Sequence, residues 1–544
     1  MQATTQVAPQ GRSLPYKWLM AIVLVLGAFM SILDQTVVNI AIPRLQSAFG
    51  TDIHSVQWVI TAYLLTQGAM TPTTPFLAHT LGTKRSYMLS LVAFTLGSAL
   101  CSLSWSLPVL IFFRIVQGLG GAVLLPLTMT MLFYEFPPEE RGVAMATLGV
   151  PALIAPALGP IVGGYLVTYA SWQAIFFLNV PIGALALILA ALLLRETPTE
   201  GRMRFDLPGF LTSAYGLAAV LYALSETSQY SWGSTQVLVF LLSGTLSLIV
   251  FVIVELVIAQ REGTPLLDVR LFAGRAFSIA IVALVLVSFS MFGAFFLVPL
   301  YLQVLRGQSA FQAGLLLLPQ ALAMMVSIVL GGRLVDRIGV RAVVIPGLIL
   351  LIVASWQLTT MTLYSPFWWI QTRLALFGFA VGLVGQPLVV AEMVDIQEQQ
   401  QLANASTVTT VVRAIAASLG VSALATIVQT QTSVHYAHLA EQVTAASPLG
   451  QLLPRLQALF VARGATMQLA KSTAIQLVAQ LVQQQAYMLA IRDAFFLSIL
   501  VAVLAFVVTL FVKERSQPSP NEGEQTAITD EALPSAGQGP MLVG

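Results

Sequence analysis

The run Gly149-Val150-Pro151-Ala152-Leu153-Ile154-Ala155-Pro156-Ala157-Leu158-Gly159-Pro160-Ile161-Val162-Gly163-Gly164-Tyr165-Leu166 lies inside an apolar segment, Val143 to Tyr169, that carries no charge. In water, three prolines and four glycines would break a helix, because proline removes a backbone donor and glycine leaves the chain unrestrained. In a bilayer the backbone must satisfy itself, so the segment is expected to persist as a kinked helix supported by its neighbours. Gly159, Gly163 and Gly164 would leave a flat face for close approach of another helix. A smooth, kinked helix suits a joint that seals and then rocks. A lone Gly-x-x-x-Gly also fits a plain packing seam.

The rest of the chain agrees with a membrane setting. Of 544 residues, 57% are hydrophobic and 9% charged, against roughly a quarter charged in soluble proteins. Mean hydropathy is +0.85. This is the composition of an all-α integral membrane protein. A net charge of +2 gives no field for binding nucleic acid. The single cysteine, Cys101, excludes an intrachain disulfide and reads as a small buried hydrophobe. The first apolar run is long enough to span and leads into further spans, so no cleavable signal is expected.

A span needs about 20 apolar residues. Fourteen stretches qualify, near 18–41, 56–78, 86–106, 108–132, 143–169, 173–194, 208–227, 236–258, 276–300, 311–335, 342–363, 367–391, 404–428 and 491–512. One set of short loops holds Lys84, Arg85, Arg141, Arg195, Arg202, Arg204, Arg261, Arg270, Arg275, Arg337 and Arg341; the opposite set holds little beyond Arg44 and Arg306. Cation bias therefore places both termini in the cytoplasm, in agreement with an even number of spans. The tails 1–15 and 516–544 have the composition of disordered segments. Segment 429–490 would lie on the outer face. Ile475, Val478, Val482 and Leu489 there have helical spacing, as in an amphipathic helix that leads into the last span and serves as a packing lid.

An internal repeat is visible. Gly332-Arg333-Leu334-Val335-Asp336-Arg337-Ile338-Gly339-Val340-Arg341 aligns, at an offset of 257, with Pro75-Phe76-Leu77-Ala78-His79-Thr80-Leu81-Gly82-Thr83-Lys84. Arg114, six residues after Pro108, matches Arg373, seven after Pro366. Two six-span halves, 16–195 and 276–515, with two extra spans in 196–275, account for both offsets. Paired repeats of this kind mark secondary transporters, with the path between the halves. Asp336 can cap a helix start and pair with arginines, holding helices together at the inner face in one conformation.

These residues resemble the major facilitator superfamily, in particular its fourteen-helix drug:proton antiporter branch of EmrB/QacA-type exporters. The first-span signature stands as Leu33-Asp34-Gln35-Thr36-Val37-Val38-Asn39-Ile40-Ala41-Ile42-Pro43, and the fourth as Arg114-Ile115-Val116-Gln117-Gly118-Leu119-Gly120-Gly121-Ala122. The opening run, with Gly149, Pro156, Gly159, Pro160, Gly163 and Gly164, is similar to the branch's antiporter motif. Trp172, Phe176, Asn179, Pro181 and Gly183 match further, as do Tyr301-Leu302-Gln303, Gly307, Ala313 and Gly314. The resemblance implies a major facilitator fold and proton-driven efflux of hydrophobic, often cationic, compounds across the cell membrane of a bacterium. It further implies the proton gradient as the energy source, with no cofactor expected. A periplasmic adaptor is an expected partner if the cell has two membranes. Gly82, Lys84, Gly332, Asp336, Arg337, Gly339 and Arg341 are the implied gating residues. His79, Thr80 and Pro75 stand where the family has Asp, Arg and Gly, so the second copy is expected to carry more of the inner lock.

Charges inside spans are functional by default. Asp34 lies about 13 Å from the outer end of its span at Pro43, and Arg114 about 9 Å from its own, so their depths match. A proton, Arg114 and a cationic substrate competing for one carboxylate make a minimal antiport mechanism; a static ion pair is the alternative. Arg373 would serve the second half similarly, and Arg413 would pair with a carboxylate or carbonyl. Glu255 reads as snorkelling, Asp206 as a helix cap, and Glu226, Glu392, Asp395 and Glu398 as solvated. Seven phenylalanines, at 112, 113, 176, 177, 292, 295 and 296, offer aromatic surface without individual roles. There is no phosphate-binding Gly-x-x-x-x-Gly-Lys loop and no histidine cluster for a metal. The rivals are an exporter of one metabolite, lipid or siderophore, an uptake symporter, and a transport-inactive sensor.

Overall fold

The computed structural model describes residues 15–51, 53–196, 205–227, 230–261, 265–393, 396, 399–444 and 447–511. Arg202, Arg204, Asp395, Glu398 and both tails apart from Pro15 lie outside the described residues, as do the side chains of Pro156 and Pro160. The described residues are helical, with no strand among them.

The chain opens with α1 (Tyr16–Phe49) and α2 (Ile53–Met70). Pro72 and Pro75 then interrupt the backbone, and a 3-10 turn over Thr71–Thr73 leads into α3 (Thr74–Leu81). Next come α4 (Thr83–Ser102), α5 (Leu107–Glu135) and α6 (Arg141–Tyr169). The following apolar stretch is divided between α7 (Gln173–Phe177) and α8 (Asn179–Leu193). A hairpin of α9 (Leu207–Glu226) and α10 (Thr235–Gln260) precedes α11 (Arg275–Leu300), which runs on through a π-helical turn at Tyr301–Leu305. The chain closes with α12 (Ala310–Ile338), α13 (Val340–Thr359), α14 (Phe367–Glu392), α15 (Gln399–Glu441), α16 (Pro448–Ala462) and α17 (Met467–Thr509).

Eleven of these helical segments are long and apolar enough to cross a membrane. The other three expected stretches are occupied by α2 with α3, by α4 and by α6, which are not among the eleven. The first of these is cut at Pro72, and α4 begins with Lys84 and Arg85.

Helix pairing repeats along the chain. In the first half α1 packs on α6, α2 on α5 and α4 on α5; in the second, α11 packs on α15, α12 on α14 and α13 on α14. The glycines of the loop motif repeat in conformation too. Gly82 (φ 83°, ψ 158°) and Gly339 (φ 86°, ψ 165°) each join two helices in a region that side-chain-bearing residues rarely enter. Close approach is equally specific: a Cβ on Gly120 of α5 would stand 2.4 Å from the Phe94 amide nitrogen of α4.

The inserted hairpin divides in its placement. α10 packs on α9 and away from both halves. α9 touches α2 on one side and α15 on the other, so it bridges the flank between the halves. Leu221 fills the notch at Gly68, Tyr222 stacks on Trp58, and Ser422 Oγ donates to the Leu224 carbonyl at 2.7 Å.

α15 and α17 each run 43 residues, about 65 Å at the helical rise and twice a bilayer's hydrocarbon thickness. They pack against each other, and α16 packs on α17. The buried stripe of the first part of α17 is Ala470, Ala474, Val478, Val482 and Ala486. Ile475, expected in that stripe, is instead 49% exposed, because alanines at four-residue spacing let α15 come closer than an isoleucine would.

Candidate functional site

Asp34 on α1 and Arg114 on α5 form an ion pair, Nη1 to Oδ2 at 2.6 Å, and neither side chain is exposed. Each remaining polar atom of the carboxylate is also occupied. Asp34 Oδ1 accepts from Gln117 Nε2 at 3.0 Å and from Asn179 Nδ2 at 2.9 Å. Arg114 is held on its other edges: Nε donates to the Val59 carbonyl and Nη1 also to Gln117 Oε1. Its guanidinium lies 4.2 Å from the Tyr63 ring centre and 5.6 Å from that of Phe176, an arrangement that favours a cation. Arg114 Nη2 is buried with no hydrogen-bond partner among the described residues.

The local sequence explains the convergence. Gln117 is three residues after Arg114, so both point from one face of α5. Asn179 begins α8 and is steadied by Ser98 Oγ of α4, whose own hydroxyl donates to the Phe176 carbonyl. Charge inside an apolar stretch, and the two span signatures, made Asp34 and Arg114 visible in the sequence. Gln117 and Asn179 are neutral, and only the packing of distant helices brings them to the carboxylate. Polar side chains inside otherwise apolar stretches were the signal available. In this conformation Asp34 has no face open to a cationic guest, so direct competition by substrate requires these helices to move.

A second set of contacts joins the two halves at the end carrying the loops at Gly82, Pro138 and Gly339, here the basic-loop end. Asp336 Oδ1 accepts from the Gly142 amide at 3.0 Å and Oδ2 from the Val143 amide at 3.3 Å. A carboxylate from α12 thus caps the start of α6 across the seam, where the helix dipole favours negative charge. Gly142 makes this possible, since a Cβ there would fall 2.4 Å from the Gly332 carbonyl oxygen. Arg141, read from sequence only as a loop cation, is buried and donates from Nη1 to the carbonyls of Met393 at 2.7 Å and Ile396 at 3.1 Å. Thr130 and Ser406 hydroxyls meet at 2.6 Å. These bonds, with that from Thr410 Oγ1 to Met129 Sδ, tie α5 and α6 to α12, α14 and α15 toward this end.

The first loop copy works differently. Lys84 Nζ donates to the carbonyls of Ala191 and Leu194, closing α8 within its own half. His79 lies on α3, which packs against α15, at the position matching Asp336. Arg337 is exposed and Arg341 half-buried at the same end.

The opening run forms one unbroken helix, α6. Gly149 faces Gln386 and Ile328 of the other half, whereas Gly159 and Gly163 face Thr36 and Val37 of α1. Gly164, expected on that same face, meets nothing within 4 Å, since it is turned a further 100° around the helix from Gly163.

Other expected residues are placed otherwise. Arg373 is half-buried, stacks over Trp369 of its own helix and has no carboxylate partner among the described residues. It does not reproduce the Arg114 site, because α14 and its neighbours offer no acid at that depth. Arg413 makes no ion pair among the described residues. Glu226, Glu255 and Glu392 are buried, with exposures of 8%, 0% and 2%, rather than solvated or snorkelling. Helix packing and loops fold over them at span ends that the sequence shows as open. Asp206 does cap α9, accepting from the Gly209 amide at 2.9 Å. Of the phenylalanines, Phe176 is buried beneath Arg114, Phe112 and Phe177 are each 60% exposed on the outside of the bundle, and Phe295 packs edge-on to Phe377.

An all-helical bundle with paired repeats, a buried acid–arginine pair and a seam closed at one end defines a membrane transporter. The sequence profile of the Major Facilitator Superfamily matches residues 24–204 and 207–421, and the chain belongs to that family. It is 31% identical to the multidrug export protein EmrB of Escherichia coli over 485 residues, covering 88% of this chain and 92% of that one. Similarity to a multidrug resistance protein B homolog of Mycobacterium tuberculosis is 33% over 414 residues, 75% and 76% of the two chains. The MFS-type transporter YhcA of Bacillus subtilis is 30% identical, with 91% and 92% covered. Among solved structures, the human organic anion transporter MFSD10 superposes with a TM-score of 0.60 at 15% identity, covering 91% of this chain and all of that one. This last likeness concerns the fold alone. Members of the family move solutes across membranes and are not enzymes.

Proposed function

We propose that this protein exports hydrophobic, often cationic, compounds from the cytoplasm in exchange for protons. In this reading the chain crosses the membrane fourteen times, with α2–α3, α4 and α6 joining the eleven strongly apolar segments, and both termini are cytoplasmic. The basic-loop end is then the inner end. The conformation described is sealed toward the cytoplasm, with the transport path facing out.

The observation that carries the reading is the buried Asp34–Arg114 pair. A charge-assisted pair in a dry site is strong only while both charges persist. A proton arriving on Asp34 cancels the carboxylate and leaves Arg114 without its counter-charge, so the surrounding helices must rearrange. Proton occupancy thereby biases one arrangement of α1, α5 and α8 over another, which is what coupling requires. Gly149, Gly159 and Gly163 let α6 slide between its α1 contact and its contact with the other half, while Asp336 and Arg141 act as the inner latch. The similarity to multidrug exporters supports the outward direction. If the cell has a second membrane, the α15–α17 projection is the part a periplasmic adaptor would meet.

Extrusion of a cationic dye and a neutral dye from cells, with and without a protonophore, tests the proposal. Loss of both effluxes on collapsing the proton gradient is expected. Efflux of a single compound class would indicate a dedicated exporter, and efflux indifferent to the protonophore would refute proton coupling.

A further inference from the structure

Glu392 closes α14 immediately behind the inner latch and is 2% exposed. Its Oε2 accepts a hydrogen bond from Thr409 Oγ1 of α15, while Oε1 is buried with no donor among the described residues. Arg413 stands one turn beyond Thr409 on the same helix, its Nη2 4.0 Å from where a Cβ on Gly385 would be, and it makes no hydrogen bond among the described residues. Other charges on the helices packed against α14 are Arg275 on α11, Arg333, Asp336 and Arg337 on α12, Arg341 on α13 and Arg141 on α6. On α15 itself, His435, His438 and Glu441 lie toward the far end. Of these charges, Arg413 is the one on the helix that holds Glu392, a single turn from Thr409.

The next residue after Glu392, Met393, lends its carbonyl to Arg141, and Ser406, one turn before Thr409 and Thr410, meets Thr130. The carboxyl is therefore kept dry by the same contacts that seal the seam. An ionised carboxylate cannot cheaply leave an oxygen unpartnered in such a place; it takes a proton or a cation. The molecule thus holds two carboxyl–guanidinium sets in one conformation: closed at Asp34 and Arg114, open at Glu392 and Arg413.

We propose that Glu392, with Arg413, is a second proton-carrying site of the transport cycle, located in the C-terminal half. Glu392 holds its proton while the inner end is sealed. When Arg141 releases Met393 and the seam opens, the proton passes to water on that side and Arg413 takes the carboxylate. This rests on the antiport reading.

The experiment measures protons released by purified protein when tetraphenylphosphonium is added in weakly buffered detergent, at equal amounts of folded protein. Glu392→Gln keeps the acceptor for Thr409 but cannot titrate. Asp34→Asn and Glu392→Gln should each release roughly half of the wild-type amount, and the double variant none, as expected when two sites share the linkage. Wild-type release from Glu392→Gln would overturn the second site. No release from the wild type would overturn the antiport reading and the second site with it. A measurement on unaltered protein guards against a variant that fails to fold. Dicyclohexylcarbodiimide, which modifies protonated carboxyls in apolar surroundings, should label Glu392 and be blocked by tetraphenylphosphonium. Absence of that labelling at every pH would also overturn the proposal.

Discussion

Both oxygens of the Asp34 carboxylate meet named donors: Arg114 on one, Gln117 and Asn179 on the other. Removing one partner of a buried pair leaves the other charge stranded, at about 3–5 kcal/mol, whereas removing both with apolar groups is far less costly. Arg114→Leu should therefore lower the thermal midpoint of the purified protein markedly, and Asp34→Leu combined with Arg114→Leu should recover much of the loss. Equal loss in the single and double variants would mean that the pair adds nothing to the fold. The pair was legible in the sequence because a charge inside an apolar stretch stands out. Gln117 and Asn179 stood in signature positions, but their contact with Asp34 was not legible, since α5 and α8 bring them from 83 and 145 residues away. Glu392 was misread for a related reason: hydropathy marks where a span ends, not what folds over that end.

Among the elements, α6 carries the most demanding sequence and makes two kinds of contact, with α12 near Gly142 and Gly149 and with α1 near Gly159 and Gly163. Gly142→Ala would place a methyl group 2.4 Å from the Gly332 carbonyl oxygen and 2.7 Å from Asp336 Oδ1. It should spread the inner seam and shift the population toward the inward-open form. A cysteine at Ser406 should then gain reactivity with a water-soluble thiol reagent in inverted vesicles, and unchanged protection would contradict the seam's role. The loop glycines belong to the same scale. Ala at Gly82 or Gly339 should cost about 1–3 kcal/mol each from backbone strain, seen as a lowered thermal midpoint. Apolar runs in the sequence located nearly every helix but not the helix lengths. The stretch at 56–78 is broken by Pro72 into α2 and α3, a consequence of proline chemistry that hydropathy does not register. The stretches at 404–428 and 491–512 are parts of the two 43-residue helices, whose projecting turns are too rich in glutamine, threonine and alanine to read as spans.

Across the whole molecule, the repeat is used unequally. The second loop copy sets Asp336 on the start of α6, and the first carries His79, which has no fixed negative charge, on α3, the helix that packs against α15. Asp336→Asn should thus impair dye efflux more than His79→Asn at matched expression, and equal impairment would contradict the asymmetry. The inserted hairpin is also divided at this scale: α10 stays on the periphery while α9 covers one flank of the seam between α2 and α15. All of these parts serve one claim, that proton occupancy of a buried carboxylate drives export. The most direct test is dye transport in proteoliposomes with an imposed pH gradient, comparing wild type with Asp34→Asn, alongside exchange of labelled for unlabelled dye without a gradient. Asn keeps the shape and most of the hydrogen bonds of Asp34 but cannot carry a proton. The account predicts that Asp34→Asn loses most of its uphill accumulation while a neutral dye still exchanges. Gradient-driven accumulation at the wild-type rate in Asp34→Asn would contradict it.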